Sequence, residues 1–111
     1  MAEAFKNATL TLTTTMTDLY VCPANTRAVV MMLQATNIHA SAAADVTAVL
    51  SDASAAGAET EIVFNLTIPT QSSVGLFAAG QKLILEPGDK LRIKATAATN
   101  IRVIASVTEL S

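Results

Sequence analysis

Apolar and polar residues alternate with a period of two along most of this 111-residue chain, the pattern of half-buried β-strands. Leu10 and Leu12 alternate with Thr9, Thr11 and Thr13, and Val46, Ala48 and Leu50 with Thr47, Val49 and Ser51. Ile62, Phe64, Leu66 and Ile68 stand between Val63, Asn65 and Thr67. Leu91, Ile93 and Ala95 alternate with Lys90, Arg92, Lys94 and Thr96; Ile101, Val103, Ala105 and Val107 alternate with Arg102, Ile104, Ser106 and Thr108. Residues that break strands separate these runs: Pro23-Ala24-Asn25, Pro69 and Gly80. In Glu86-Pro87-Gly88-Asp89, proline presets φ at the second position and glycine accepts positive φ at the third, as a type II turn requires. The Ala-rich stretches 40–44 and 53–58 are short and interrupted by Ser or Gly, so they read as loops. About eight strands at roughly 8–12-residue spacing predict an all-β chain: one antiparallel, jelly-roll-like β-sandwich domain over residues 1–111.

One segment departs from simple alternation. Arg27–His39 is long for a strand and apolar on both sides. Strict alternation puts Ala28, Val30, Met32 and Ile38 on one face, and Val29, Met31, Leu33 and Ala35 on the other. A strand apolar on both faces must be covered on both. Either a loop or the N-terminal segment folds over its back, or Val29, Met31 and Leu33 meet another subunit, a contact to which adaptable methionine thioethers are suited.

Composition sharpens that choice. Hydrophobic residues make up 51% of the chain and charged residues 14%, against about 25% charged in an ordinary soluble domain. The longest apolar run, Ala28–Leu33, is far below the roughly 20 residues of a membrane-spanning helix. A small domain hides only about two-thirds of its unfolded surface, so the surplus predicts burial against further protein chains. A net charge of −2 and few aromatics (three Phe, one Tyr, no Trp) give no reason to expect nucleic acid, membrane or a stacking platform for sugars. Cys22 is the one cysteine, so no intrachain disulfide is expected. Met1–Lys6 is mixed in charge rather than an apolar leader, which sets an expectation of synthesis in a cytoplasm.

Five of the seven basic residues fall between Lys82 and Arg102. Lys90, Arg92 and Lys94 occupy every second position and so share one strand face. Arg102, on the next strand, is expected to join them across a hairpin through Ala97-Ala98-Thr99-Asn100. This face reads either as an ordinary solvated surface or as a contact for an acidic partner.

Candidate chemistry is sparse. His39 is the one histidine, and it follows Asn37-Ile38 at a strand end, where a structural hydrogen-bonding role is expected rather than catalysis. One Cys and one His do not make a zinc site. Asp45, Asp52, Glu59 and Glu61 lack the spacing of a calcium loop, and Gly57, Gly75, Gly80 and Gly88 are too far apart to cradle phosphate. Asn7-Ala8-Thr9 and Asn65-Leu66-Thr67 match the glycosylation sequon by composition alone. No enzyme, catalytic residue, cofactor or metal is predicted.

The order Leu19-Tyr20-Val21-Cys22-Pro23-Ala24-Asn25, then Asn37 after a strand, then Leu83-Ile84-Leu85-Glu86-Pro87-Gly88-Asp89-Lys90-Leu91, closing on Ser106-Val107-Thr108-Glu109, resembles small virion proteins of tailed bacteriophages. The resemblance covers most of the chain as a pattern. It implies a β-sandwich or jelly-roll subunit, non-enzymatic and located on the virion. The implied role is a capsid decoration (cement) protein, with a neck, tail or fibre-associated subunit or a host-glycan binding module as alternatives. The partners implied are further copies of itself, a trimer favoured, and major capsid or neck and tail proteins. The interface residues expected under this reading are Val29, Met31, Leu33, Lys90, Arg92, Lys94 and Arg102.

Overall fold

A computed structural model describes residues 3–77, 81–97 and 101–111. Its strands are β1 (Glu3–Thr11), β2 (Thr17–Val21), β3 (Arg27–Asn37), β4 (Ala44–Asp52), β5 (Ala58–Ile68), β6 (Ser72–Gly75), β7 (Leu83–Leu85), β8 (Lys90–Ala95) and β9 (Ile101–Leu110). One 3-10 turn, Ala53–Ala55, links β4 to β5. The strands form two antiparallel sheets. Sheet A runs β1-β9-β3-β6, with β7 also on β3, and sheet B runs β2-β8-β4-β5. Successive strands therefore change sheet at β1/β2, β2/β3, β3/β4, β5/β6, β7/β8 and β8/β9, the interleaving of a double-sheet jelly roll.

The expected all-β sandwich is the observed fold, with nine strands among the described residues rather than about eight. The addition is β6, whose four residues carry one large apolar side chain, Val74, too little for a period to show. β6 and β7 lie end to end along one side of β3, sharing one position of the sheet. Gly80, expected to precede the run Gln81–Leu85, lies outside the described residues.

Inward-facing residues of both sheets fill the core: Val30, Leu33, Val103 and Val107 from sheet A, and Val46, Ile68, Leu91 and Ile93 from sheet B, all essentially inaccessible. The Glu86–Asp89 turn forms as expected. The Asp89 amide donates to the Glu86 carbonyl at 3.0 Å, and Gly88 takes φ +87°, in the left-handed region that favours glycine. Asp89, buried, braces the turn by accepting from the Glu86 and Ala53 amides, both at 2.9 Å.

Two expectations about strand faces are corrected. The Arg27–Asn37 strand is central in sheet A, but it does not alternate strictly, because its pairing with β9 shifts between Val30 and Met32. This β-bulge inserts Met31 as an extra residue. Ala28 and Val30 point inward before it, and Leu33, Ala35 and Asn37 after it. Leu33, expected among the interface candidates, is therefore a core residue, 1% exposed. Met32 moves to the outer face beside Val29 and Met31, and Ile38 lies beyond the strand. The second correction concerns Arg102. β8 and β9 belong to opposite sheets, so Arg102 faces away from Lys90, Arg92 and Lys94. Residues 98–100 of the expected hairpin lie outside the described residues.

Candidate interaction surface

The outer face of sheet A can be read row by row from the pairing. In antiparallel sheets directly opposed residues point to the same side. Since Ile101, Val103, Ala105, Val107 and Glu109 are buried, the outward residues of β9 are Arg102, Ile104, Ser106, Thr108 and Leu110. Their partners build five rows. One end row is Glu3, Leu110 and Arg27; the next is Phe5, Thr108, Val29 and Ile84. The middle row is Asn7, Ser106 and Met32, with Met31 bulged beside it. Then come Thr9, Ile104, Gln34 and Gly75, and finally Thr11, Arg102, Thr36 and Ser73.

The charges of this face, Glu3, Arg27 and Arg102, all stand in the two end rows. The three rows between them carry none, and they hold most of the large apolar side chains that the fold leaves in water. Phe5 is 71% and Ile84 62% exposed, with Ile104, Met31 and Met32 each over a third exposed. The Thr108 hydroxyl donates to Met31 Sδ at 3.2 Å, and Ser106 to Asn7 Oδ1 at 2.8 Å, so the polar groups between the apolar ones are already partly paired. An apolar, charge-poor centre with a charged rim is the anatomy of a protein–protein interface.

Sheet B is more highly charged, although its strands β5 and β2 also leave Phe64 70% and Val21 44% exposed. Lys90, Arg92 and Lys94 do share its outer face, but acids meet them there. Arg92 spans the sheet, its Nε donating to Asp18 of β2 at 2.7 Å and its Nη1 to Glu59 of β5 at 2.8 Å. These carboxylates raise the guanidinium pKa above its ordinary value. Lys90 lies 3.8 Å from Asp18. Val49, in register beside Arg92, is only 2% exposed although it points outward. The expected basic patch is therefore a charge-compensated ladder over a small apolar floor, leaving Lys94 outside any ion pair among the described residues.

A third cluster lies between the sheets. The Tyr20 hydroxyl, from β2, donates to Glu109 Oε2 on β9, and Lys6 Nζ of β1 pairs with Glu109 Oε1 at 3.0 Å. Burial, then the bond to Glu109, push the Tyr20 phenol well above its ordinary pKa. The hydrogen bond from Tyr20 holds the Glu109 carboxyl below its usual range; burial opposes this, and Lys6 adds to it. No periodicity argument finds this cluster, because its members come from three strands of two sheets.

The remaining polar candidates serve the backbone. Asn37, fully buried, donates from Nδ2 to the Ala42 and Ile68 carbonyls at 2.9 and 3.1 Å and accepts from the His39 amide at 2.9 Å. His39 Nδ1 accepts from the Ser41 and Ala42 amides, both at 3.1 Å, so its ring closes the β3–β4 loop. Cys22 is a buried free thiol donating to the Thr26 carbonyl at 3.2 Å, and burial raises its pKa. Among the described residues, no three His, Cys, Asp or Glu side chains are grouped to hold a metal, and no helix is long and apolar enough to cross a membrane.

No protein-family model and no curated protein matches the chain. A solved structure does, from work reporting that Bacillus endospore appendages form a novel family of disulfide-linked pili. It is 15% identical, with a TM-score of 0.59, over 99% of this chain and 87% of that one. At that identity the likeness establishes a shared β-sandwich fold.

Proposed function

We propose that this chain is a non-enzymatic structural subunit that assembles with copies of itself through the outer face of sheet A. One observation carries the reading: three successive rows of that face hold no charge and gather Phe5, Ile84, Val29, Met31, Met32 and Ile104. Leaving such a surface in water forfeits about 25 cal/mol for each Å² of apolar area that a neighbour would cover. The solved structure of the same fold belongs to a pilus system, which supports an assembly role for the architecture.

Within that role, the resemblance to tailed-phage virion proteins favours a subunit made in the host cytoplasm and carried on the virion, decorating the capsid or seated at the neck, tail or fibre. The pilus system of the solved structure favours an open filament as the second reading. The pili there are disulfide-linked, whereas Cys22 is 1% exposed and out of reach of a neighbour, so filament contacts here would be non-covalent. Electron microscopy of the concentrated, purified protein separates these cases. Closed rings or discrete oligomers support the virion subunit and open fibres the filament, while single 11.5-kDa particles defeat both.

A further inference from the structure

We infer that two copies of the chain pair face to face through sheet A about a two-fold axis perpendicular to the strands, with Phe5 of each copy entering a depression on the other. This inference rests on the self-assembly reading and names its first contact. The depression, about 460 Å³, lies between β1 and β9 and is lined by Thr9, Leu10, Thr11, Arg102, Val103 and Ile104. Phe5 projects from the same strand, four residues before Thr9. An axis over the Asn7–Ser106–Met32 row turns the face end for end while keeping β1 above β1. The Phe5 row then lies over the partner's Thr9 row, and Phe5 stands above the depression. In the same step Ile84 comes to rest over Gly75, where no side chain stands, and the methionines meet their own copies at the axis, where thioethers repack readily.

Charge agrees with shape. Glu3 and Arg102 occupy opposite ends of the face, eight residues apart along β9, about 27 Å at 3.4 Å per residue. Neither forms an ion pair among the described residues, and the two-fold brings Glu3 of each copy to the Thr11–Arg102 end of the other, twice per dimer. An axis along the strands does neither: it stacks Phe5 upon Ile84, two projecting side chains, and leaves Arg102 over Thr36. Four strands about 4.8 Å apart and ten residues long offer about 650 Å² per copy. The pair would bury about 1,300 Å², within the range of stable specific interfaces. Symmetric, self-matching patches of this kind close as dimers.

The test is a charge exchange read as a dimer dissociation constant at low salt, by sedimentation of the full chain. Glu3 and Arg102 are exposed and form no ion pair among the described residues, so Glu3→Lys and Arg102→Glu leave the melting temperature of the dissociated chain, read at high dilution, unchanged. Each single variant is expected to raise the dissociation constant about tenfold, and the double variant to return it to within about threefold of the parent. Single variants without effect, or a double variant weaker than either single, overturn this pairing while self-association stands. A parent protein monomeric at every concentration overturns the pairing and the self-assembly reading together.

Discussion

The Tyr20 hydroxyl and the Glu109 carboxylate join the two sheets by a hydrogen bond across the interior, from the short edge strand β2 to the last strand, β9. Hydrogen bonds to charged groups contribute about 1.5–3 kcal/mol, and this one also satisfies a carboxylate that is only 10% exposed. Tyr20→Phe should therefore lower stability by about 2 kcal/mol, measured by urea unfolding with an unchanged m-value. A loss below about 0.5 kcal/mol would show that Lys6 alone suffices for Glu109.

The same pair makes stability depend on pH at both extremes. Glu109 titrates below its unfolded value of about 4.3, so its contribution is complete above that pH and is lost as pH falls through the folded value. Tyr20 titrates above its unfolded value of about 10, so its contribution is complete below pH 10 and declines above it. Melting curves should show Glu109→Gln converging on the parent below about pH 4, and Tyr20→Phe converging on it above pH 10.

Asn37 closes the core at the end of β3. Its amide serves two carbonyls and one backbone amide, and each buried group left unpaired costs about 1–3 kcal/mol. Asn37→Ala should cost about 3 kcal/mol, and Asn37→Asp nearly as much because both Nδ2 bonds are lost. His39→Ala, in the more open part of the same loop, should cost about 1 kcal/mol. Chemical denaturation of the three variants ranks them directly.

Arg92 is held within the fold by two carboxylates, Asp18 and Glu59. Its two carboxylate partners and the covered Val49 beneath it lead to an expected loss of about 1 kcal/mol on Arg92→Ala, with no change in oligomeric mass. Lys94→Ala should change neither. A variant of Lys90, Arg92 or Lys94 that stays folded but dissociates the assembly would move the interface to sheet B.

The strands were legible in the sequence wherever a long run kept strict alternation, as in Leu91–Ala95 and Ile101–Val107, because one face of each is core. The Glu86–Asp89 turn was legible because proline and glycine leave it few alternatives. What escaped came from pairing between distant strands. Nothing local to Val30-Met31-Met32 announces a bulge, so strict alternation puts Leu33 on the outer face, whereas pairing with β9 turns it inward. Adjacency in sequence suggests a hairpin that joins Arg102 to the β8 cations, whereas the jelly roll sends β8 and β9 to opposite sheets. The exposed apolar face is half visible in the sequence: Val29 and Met31 signal an apolar strand back. Phe5 and Ile84 join that patch only through long-range strand pairing, which sets them in one row of the same sheet.

The outer face of sheet A is the centre of this account, and the mass of the protein in solution tests it most directly. Light scattering behind size exclusion, run over a range of concentrations, should give a multiple of 11.5 kDa for the parent chain. Ile84→Lys, which places a charge among the uncharged rows at a side chain 62% exposed in the chain itself, should give the monomer mass, with a melting temperature equal to the parent's at concentrations where the parent is dissociated. A parent protein that stays monomeric to the highest concentration, or an Ile84→Lys variant that assembles as the parent does, would contradict it.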